Sequence, residues 1–157
     1  MQFNRTFTET FKVLVIIFTL IIISALPEVA IAAGSKRVAV NVDIVNVRSG
    51  PGIKGKILWQ VEEYYPFIVV KTQKNWYKVR DFENDTGWVH SSLLKSIKCV
   101  ITIKEKCNVR LKPDKKSKVV FTVDSGVPFR QLSKKGNWIK IKHARGNTGW
   151  IYKTLVW

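Results

Sequence analysis

Residues 84–94 read NDTGWVHSSLL, and residues 146–156 read GNTGWIYKTLV, one pattern centred on Thr-Gly-Trp that returns after 62 positions. The offset extends well beyond this stretch. Laid over itself without a gap from Val38 and Val100, the chain matches Asn46-Val47-Arg48 with Asn108-Val109-Arg110 and Pro51 with Pro113. It also matches Pro66-Phe67 with Pro128-Phe129, Asn75-Trp76 with Asn137-Trp138, Lys78 with Lys140, and Leu93 with Leu155. Conservative pairs fill the spaces: Ile57/Val119, Trp59/Phe121, Val79/Ile141 and Val89/Ile151. Self-similarity at a fixed period marks a duplicated structural unit. The expected organisation is a domain over 36–97 and a second over 98–157.

The first segment belongs to neither copy. Arg5 and Lys12 flank a polar start, residues 13–26 are an apolar run, and Pro27 precedes Ala30-Ile31-Ala32, a small-x-small cleavage pattern. Residues 1–32 are expected to be a secretory signal peptide, cut after Ala32 or Ala33. A retained anchor is the alternative, but the run is shorter than the ~20 residues that span a bilayer, so the mature form is expected to have no integral membrane span.

The chain carries 27 basic and 11 acidic residues, a net +16, and the signal segment removes two of each. Residues 36–97 hold ten basic and six acidic side chains (+4), residues 98–157 fifteen and three (+12). Such charge favours polyanions. An exported chain meets anionic wall polymers, phospholipid head groups or lipopolysaccharide before nucleic acid, so no nucleic-acid partner is expected. The alternative is that the lysines only solubilise the fold and protect sheet edges. Cys99 and Cys107 stand where the first copy has Arg37 and Val45, so the fold does not require them. Export makes a Cys99–Cys107 disulfide chemically accessible. Eight residues of continuous strand span ~26 Å, too far for a bridge, so the bond forms only if the chain reverses between them.

Short β-rich runs alternate with turn signals throughout both copies. In the first, strands are expected over 37–42, 56–62, 66–72, 76–81 and 87–90, with turns at 49–52, 63–65, 73–75 and 83–86. Five strands in so short a unit is the spacing of a small all-β barrel. The ordered set NVRSGPG (46–52), NWYKV (75–79) and TGWVHSSLL (86–94), present twice, resembles the bacterial SH3 (SH3b) domain. The resemblance covers nearly all of the chain after the signal segment. It implies two tandem five-stranded SH3-like barrels and a non-catalytic module of cell-envelope proteins, often associated with peptidoglycan. The second copy departs from the pattern with NVRLKPD (108–114). Losing both glycines removes two positions that take positive φ without cost, so a differently shaped first loop is expected there.

Alternation selects the outward residues. In 76–80, Tyr77 and Val79 share one face and Trp76, Lys78 and Arg80 the other; Ile139 and Ile141 fix the core face of the second copy and place Trp138 outside with Lys140 and Lys142. Around Val89 and Ile151, Trp88 with His90 and Trp150 with Tyr152 point away from the core. With Tyr64 and Tyr65 in a nearby turn, these aromatics form a candidate groove for stacking on a sugar ring, a peptide proline or an amide plane. Trp76 also resembles the groove tryptophan with which eukaryotic SH3 domains hold proline-rich peptides. The alternative is that they only cover the ends of small barrels. Lys134, Lys135, Lys140 and Lys142 form the candidate basic surface, and Arg48 and Arg110 are expected to bond loop carbonyls.

Catalysis fits poorly. His90 and His143 do not align under the repeat, no nucleophile has a base and an orienting group in view, and no metal-ligand spacing or cofactor motif occurs. The reading is an exported, periplasmic or wall-associated binding protein without cofactor. It recognises peptidoglycan or associated anionic wall material through an aromatic groove and a basic surface. The alternative is an adaptor that binds an extended peptide segment of an envelope protein.

Overall fold

The computed structural model describes residues 35–157, all within one compact unit, so the expected signal peptide and its cleavage site lie outside the described residues. No described helix is long and apolar enough to cross a membrane. The first copy is built of β1 (Arg37–Val40), β2 (Ile44–Arg48), β3 (Ile57–Glu62), β4 (Pro66–Gln73), β5 (Trp76–Arg80), β6 (Thr86–His90) and β7 (Leu94–Lys95), with a 3-10 turn over Ser91–Leu93. The second copy follows with β8 (Cys99–Ile101), β9 (Cys107–Arg110), β10 (Val119–Val123), β11 (Pro128–Lys135), β12 (Trp138–Lys142) and β13 (Thr148–Tyr152), then a 3-10 turn over Lys153–Leu155. The two antiparallel sheets run β3-β2-β6-β5-β4-β1-β7 and β10-β9-β13-β12-β11-β8. They are one arrangement displaced by 62 residues. Even the β1–β7 closure recurs, with Val40 opposite Leu94 and Thr102 opposite Val156.

All five expected runs of the first copy are strands, and two were not anticipated, β2 and β7. β2 alternates Val45 and Val47 inward with Ile44, Asn46 and Arg48 outward, and a bend over Asn41–Asp43 without glycine or proline separates it from β1. The cores follow the alternation. Val38, Val47, Phe67, Val79 and Val89 pack together in the first copy, and Val100, Val109, Phe129, Ile141 and Ile151 in the second. Cys107 joins the second core where Val45 joins the first, behaving as a small hydrophobe.

The recurrence of Thr-Gly-Trp has a steric origin. Arg48 of β2 pairs with Trp88 of β6, and Arg110 with Trp150, so the NVR and TGW motifs lie against each other. A Cβ on Gly149 would fall 2.5 Å from Val109 Cγ1 and 3.1 Å from the Arg110 carbonyl oxygen, and Gly87 meets Val47 and Arg48 in the same way. Only glycine lets β6 approach β2, and β13 approach β9, this closely.

One expectation needs correction. The loop after NVR is not reshaped in the second copy. Ser49 N donates to Lys56 O at 2.9 Å and Gly52 N to Gly50 O at 3.0 Å; Leu111 N to Lys118 O and Asp114 N to Lys112 O repeat these bonds at 2.9 and 2.8 Å. Gly50 and Gly52 are not at positive φ, so nothing is lost when Lys112 and Asp114 replace them. Asp114 Oδ1 accepts from Lys116 N, and Ser117 Oγ from Lys112 N, which adds support. The sequence leaves the Cys99–Cys107 disulfide open. Cys99 and Cys107 are both buried and free, on β8 and β9, which are not neighbours in the sheet.

Candidate functional site

The outer face of β5 and β6 places Trp76 opposite His90, and that of β12 and β13 places Trp138 opposite Tyr152. Each pair meets edge to face with ring centroids 5.3 Å apart. Each forms the wall of a groove, of about 230 Å³ in the first copy and about 470 Å³ in the second. The linings correspond position by position: Asn46, Arg48 and Leu93 in one, Asn108, Arg110 and Leu155 in the other. One concavity is thus built twice around a tryptophan and a second aromatic ring.

Arg48 and Arg110 also shape the groove by a second route. Arg48 Nη1 donates to Gly55 O at 2.9 Å and Arg110 Nη1 to Ser117 O at 2.7 Å, the expected bonds to loop carbonyls. Each bond fixes the loop whose tip forms the groove rim, with Ile53 in the first copy and Lys115 in the second. On the floor, Asn46 Oδ1 accepts from Gln60 and Asn108 Oδ1 from Thr122, an arrangement that leaves the amide nitrogens as donors. His90 Nδ1 accepts from Ser92 N at 3.4 Å and lies 2.7 Å from Ser92 Oγ, which assigns the proton of a neutral ring to Nε2.

The rims differ in chemistry. Ile44 and Ile53 flank the first groove, 65% and 80% exposed, an unusual placement for large aliphatic side chains. Lys106 and Lys115 take their places in the second, and Lys115 Nζ lies 5.7 Å from the centre of the Tyr152 ring. The first groove is apolar at its mouth and the second cationic.

Of the aromatics expected to face a ligand, Trp76, His90, Trp138 and Tyr152 line the grooves and four others do not. Trp88 lies on the expected face but is buried at 9% exposure in register with Lys78 and Arg48. Trp150, half-buried, sits likewise between Lys140 and Arg110. Tyr65 packs on Phe67 with ring centroids 5.0 Å apart and donates its hydroxyl to Asp81 Oδ2 at 3.4 Å. Burial first, and then the Asp81 charge, push that hydroxyl above the usual tyrosine range. Tyr64 is at φ 70° in the turn before β4, its hydroxyl also raised, by burial and by Glu63. Lys140 and Lys142 share the face of Trp138, Lys135 is its cross-strand partner, and Lys134 is exposed one residue before. Sequence reasoning missed Ile44, Ile53, Lys106 and Lys115. The signal was present in the repeat itself, as two aligned positions that exchange isoleucine for lysine.

Two other chemical features hold no groove. Asp81, Glu83 and Asp85 gather in the β5–β6 loop, but Asp81 is already satisfied by Glu83 N, Asp85 N and the Tyr65 hydroxyl. Burial pushes the Cys99 thiol up to about 12 and raises that of Cys107, which keeps both protonated at neutral pH.

The sequence pattern of the Bacterial SH3 domain family matches residues 41–96 and 104–157, and the chain belongs to that family. It is 26% identical over 152 residues to a putative N-acetylmuramoyl-L-alanine amidase, YrvJ, of Bacillus subtilis strain 168, a match covering 90% of this chain and 29% of that protein. The chain therefore spans less than a third of that relative's length. Among solved structures it is similar to NlpC1 from Trichomonas vaginalis (14% identity, TM-score 0.35, covering 78% of this chain and 45% of that one). It is also similar to an NlpC/P60 family protein from Bacillus cereus ATCC 10987 (15% identity, TM-score 0.37, covering 77% and 55%).

Proposed function

We propose that this chain is a non-catalytic binding protein of the bacterial cell envelope, exported and wall-associated, whose two grooves hold peptidoglycan or anionic material attached to it. The observation that carries the reading is the groove built twice, with Trp76/His90 and Trp138/Tyr152 at equivalent positions. A half-buried indole beside amide donors suits the face of a sugar ring and its hydroxyls. The aliphatic rim of the first groove favours an uncharged face of the ligand, whereas Lys106 and Lys115 favour a carboxylate or phosphate at the second. The name of the amidase relative supports wall material as the source. The cysteines support the absence of catalysis, since a buried protonated thiol is a poor nucleophile. Two weak sites on one chain gain by effective concentration on a repetitive polymer.

Co-sedimentation of the full chain with purified sacculi tests the proposal. Trp76→Ala and Trp138→Ala are each expected to weaken retention about tenfold, the effect of losing an aromatic hot spot of ~1–2 kcal/mol. Their combination should abolish it. If the folded double variant is retained like the wild type, the grooves do not bind the wall. If the wild type is not retained at all, the envelope-polymer reading gives way to capture of an extended peptide.

A further inference from the structure

A third concavity, of about 570 Å³, lies where the two copies meet. β1 and β8, the equivalent first strands, bring Val38 and Val100 to its wall, and Trp157 closes it. Arg37, Lys98, Lys134 and Lys153 line it, and no acidic side chain does. On its Cys99 side, Arg130 is the cross-strand partner of Cys99, and after burial has raised that thiol Arg130 and Glu63 act on it in opposite directions.

The four cations are not a by-product of the duplication. The repeat places Cys99, Thr72 and Ser91 opposite Arg37, Lys134 and Lys153, and only Lys98 has a basic counterpart, Lys36. Like charges around a recess with apolar walls repel one another and focus a positive field into it. Arg37 is held in place, its guanidinium carbon 4.2 Å from the centre of the Trp157 ring. A guanidinium fixed over an aromatic face keeps N–H donors for an anion.

We propose that this seam binds a phosphate-bearing polyol or sugar unit of a soluble phosphodiester polymer. Arg37, Lys98, Lys134 and Lys153 hold the phosphate, and Val156 and the Trp157 ring, both half-buried at the recess, receive the carbon skeleton. Three of the four cations are ammonium groups, which hold a phosphate as point charges, and Arg37 adds a planar fork of donors that fits phosphate oxygens; the polyglutamate arm of the test separates phosphate from carboxylate. A recess between two barrels admits a strand of polymer but not the flat face of a bilayer. The site is separate from the aromatic grooves and does not rest on their ligand.

The test is a titration of the ¹⁵N-labelled full chain with glycerol phosphate oligomers at constant ionic strength, following the Trp157 indole resonance. A saturable shift is expected. Arg37→Gln with Lys134→Gln should weaken it about tenfold or more, and Lys116→Gln with Lys118→Gln, exposed and lining neither the seam nor a groove, should leave it unchanged. The remaining resonances report whether each variant is folded. The proposal is overturned if no saturable shift occurs, or if both pairs of substitutions weaken binding alike, which would mean diffuse charge. It is equally overturned if polyglutamate of matched charge produces the same shift, or if phosphatidylglycerol vesicles capture the chain while the oligomers do not. Loss of sacculus binding in the tryptophan variants with this titration intact would leave the seam site standing by itself.

Discussion

Three equivalent backbone positions take left-handed φ in both copies, filled differently in each, and Lys106 adds a fourth, at φ 52°, in the second copy. Tyr64, Lys74 and Asn84 stand at φ 70°, 50° and 72°, and their counterparts Gly126, Gly136 and Gly146 at 85°, 55° and 93°. The left-handed region costs a side chain with Cβ roughly 1–2 kcal/mol, and glycine enters it freely. Lys74 is exposed in the β4–β5 turn, so its conformation can be tested with little else disturbed. Lys74→Gly is expected to stabilise the first barrel by about 1 kcal/mol, reduced by the chain entropy glycine forfeits, and Gly136→Ala to destabilise the second by about 1 kcal/mol. Thermal unfolding checks both, and a Gly136→Ala variant as stable as wild type would contradict the argument. The sequence held the three glycines of the second copy and Asn84, a residue that enters this region readily, but no mark on Tyr64 or Lys74, because a turn imposed by flanking strands can force φ on residues that do not prefer it.

At the scale of elements, the repeated motifs proved to be contact partners. The strand carrying NVR has no range of its own among the expected strands, because its entry bend, at Val42 and Asp43, lacks glycine and proline. Missing β2 also hid the groove floor, since Asn46 and Arg48 lie on its outer face. The placement of Trp76 and Trp138 was legible because Ile139 and Ile141 fix the inward face without ambiguity. Burial of Trp88 was not, since alternation gives direction but not the neighbours that cover a side chain. The motif contact makes its own prediction. Gly149→Ala should destabilise the second barrel by roughly 1–3 kcal/mol through overpacking against Val109. Combining it with Val109→Ala should cost less than the sum of the two single changes, by at least ~0.5 kcal/mol of coupling. Denaturant unfolding of the four proteins measures this, and strict additivity would show that the motifs recur for another reason.

Across the whole molecule, one architecture is used twice with different surface chemistry. Cores, ladders, loop bonds and groove walls are shared at a constant offset, whereas charge and rim residues diverge, +4 over 36–97 against +12 over 98–157. The central claim is that the two grooves engage wall material by different forces, and the salt dependence of sacculus retention in the single tryptophan variants tests it most directly. In Trp76→Ala the remaining hold is through the second groove, with Lys106, Lys115 and Arg110. Its retention should fall steeply as the screening length shrinks from ~10 Å at 0.1 M salt to ~3 Å at 1 M. In Trp138→Ala the remaining hold is through the apolar-rimmed first groove, and retention should change little over the same range. Superimposable salt curves for the two variants would contradict the account.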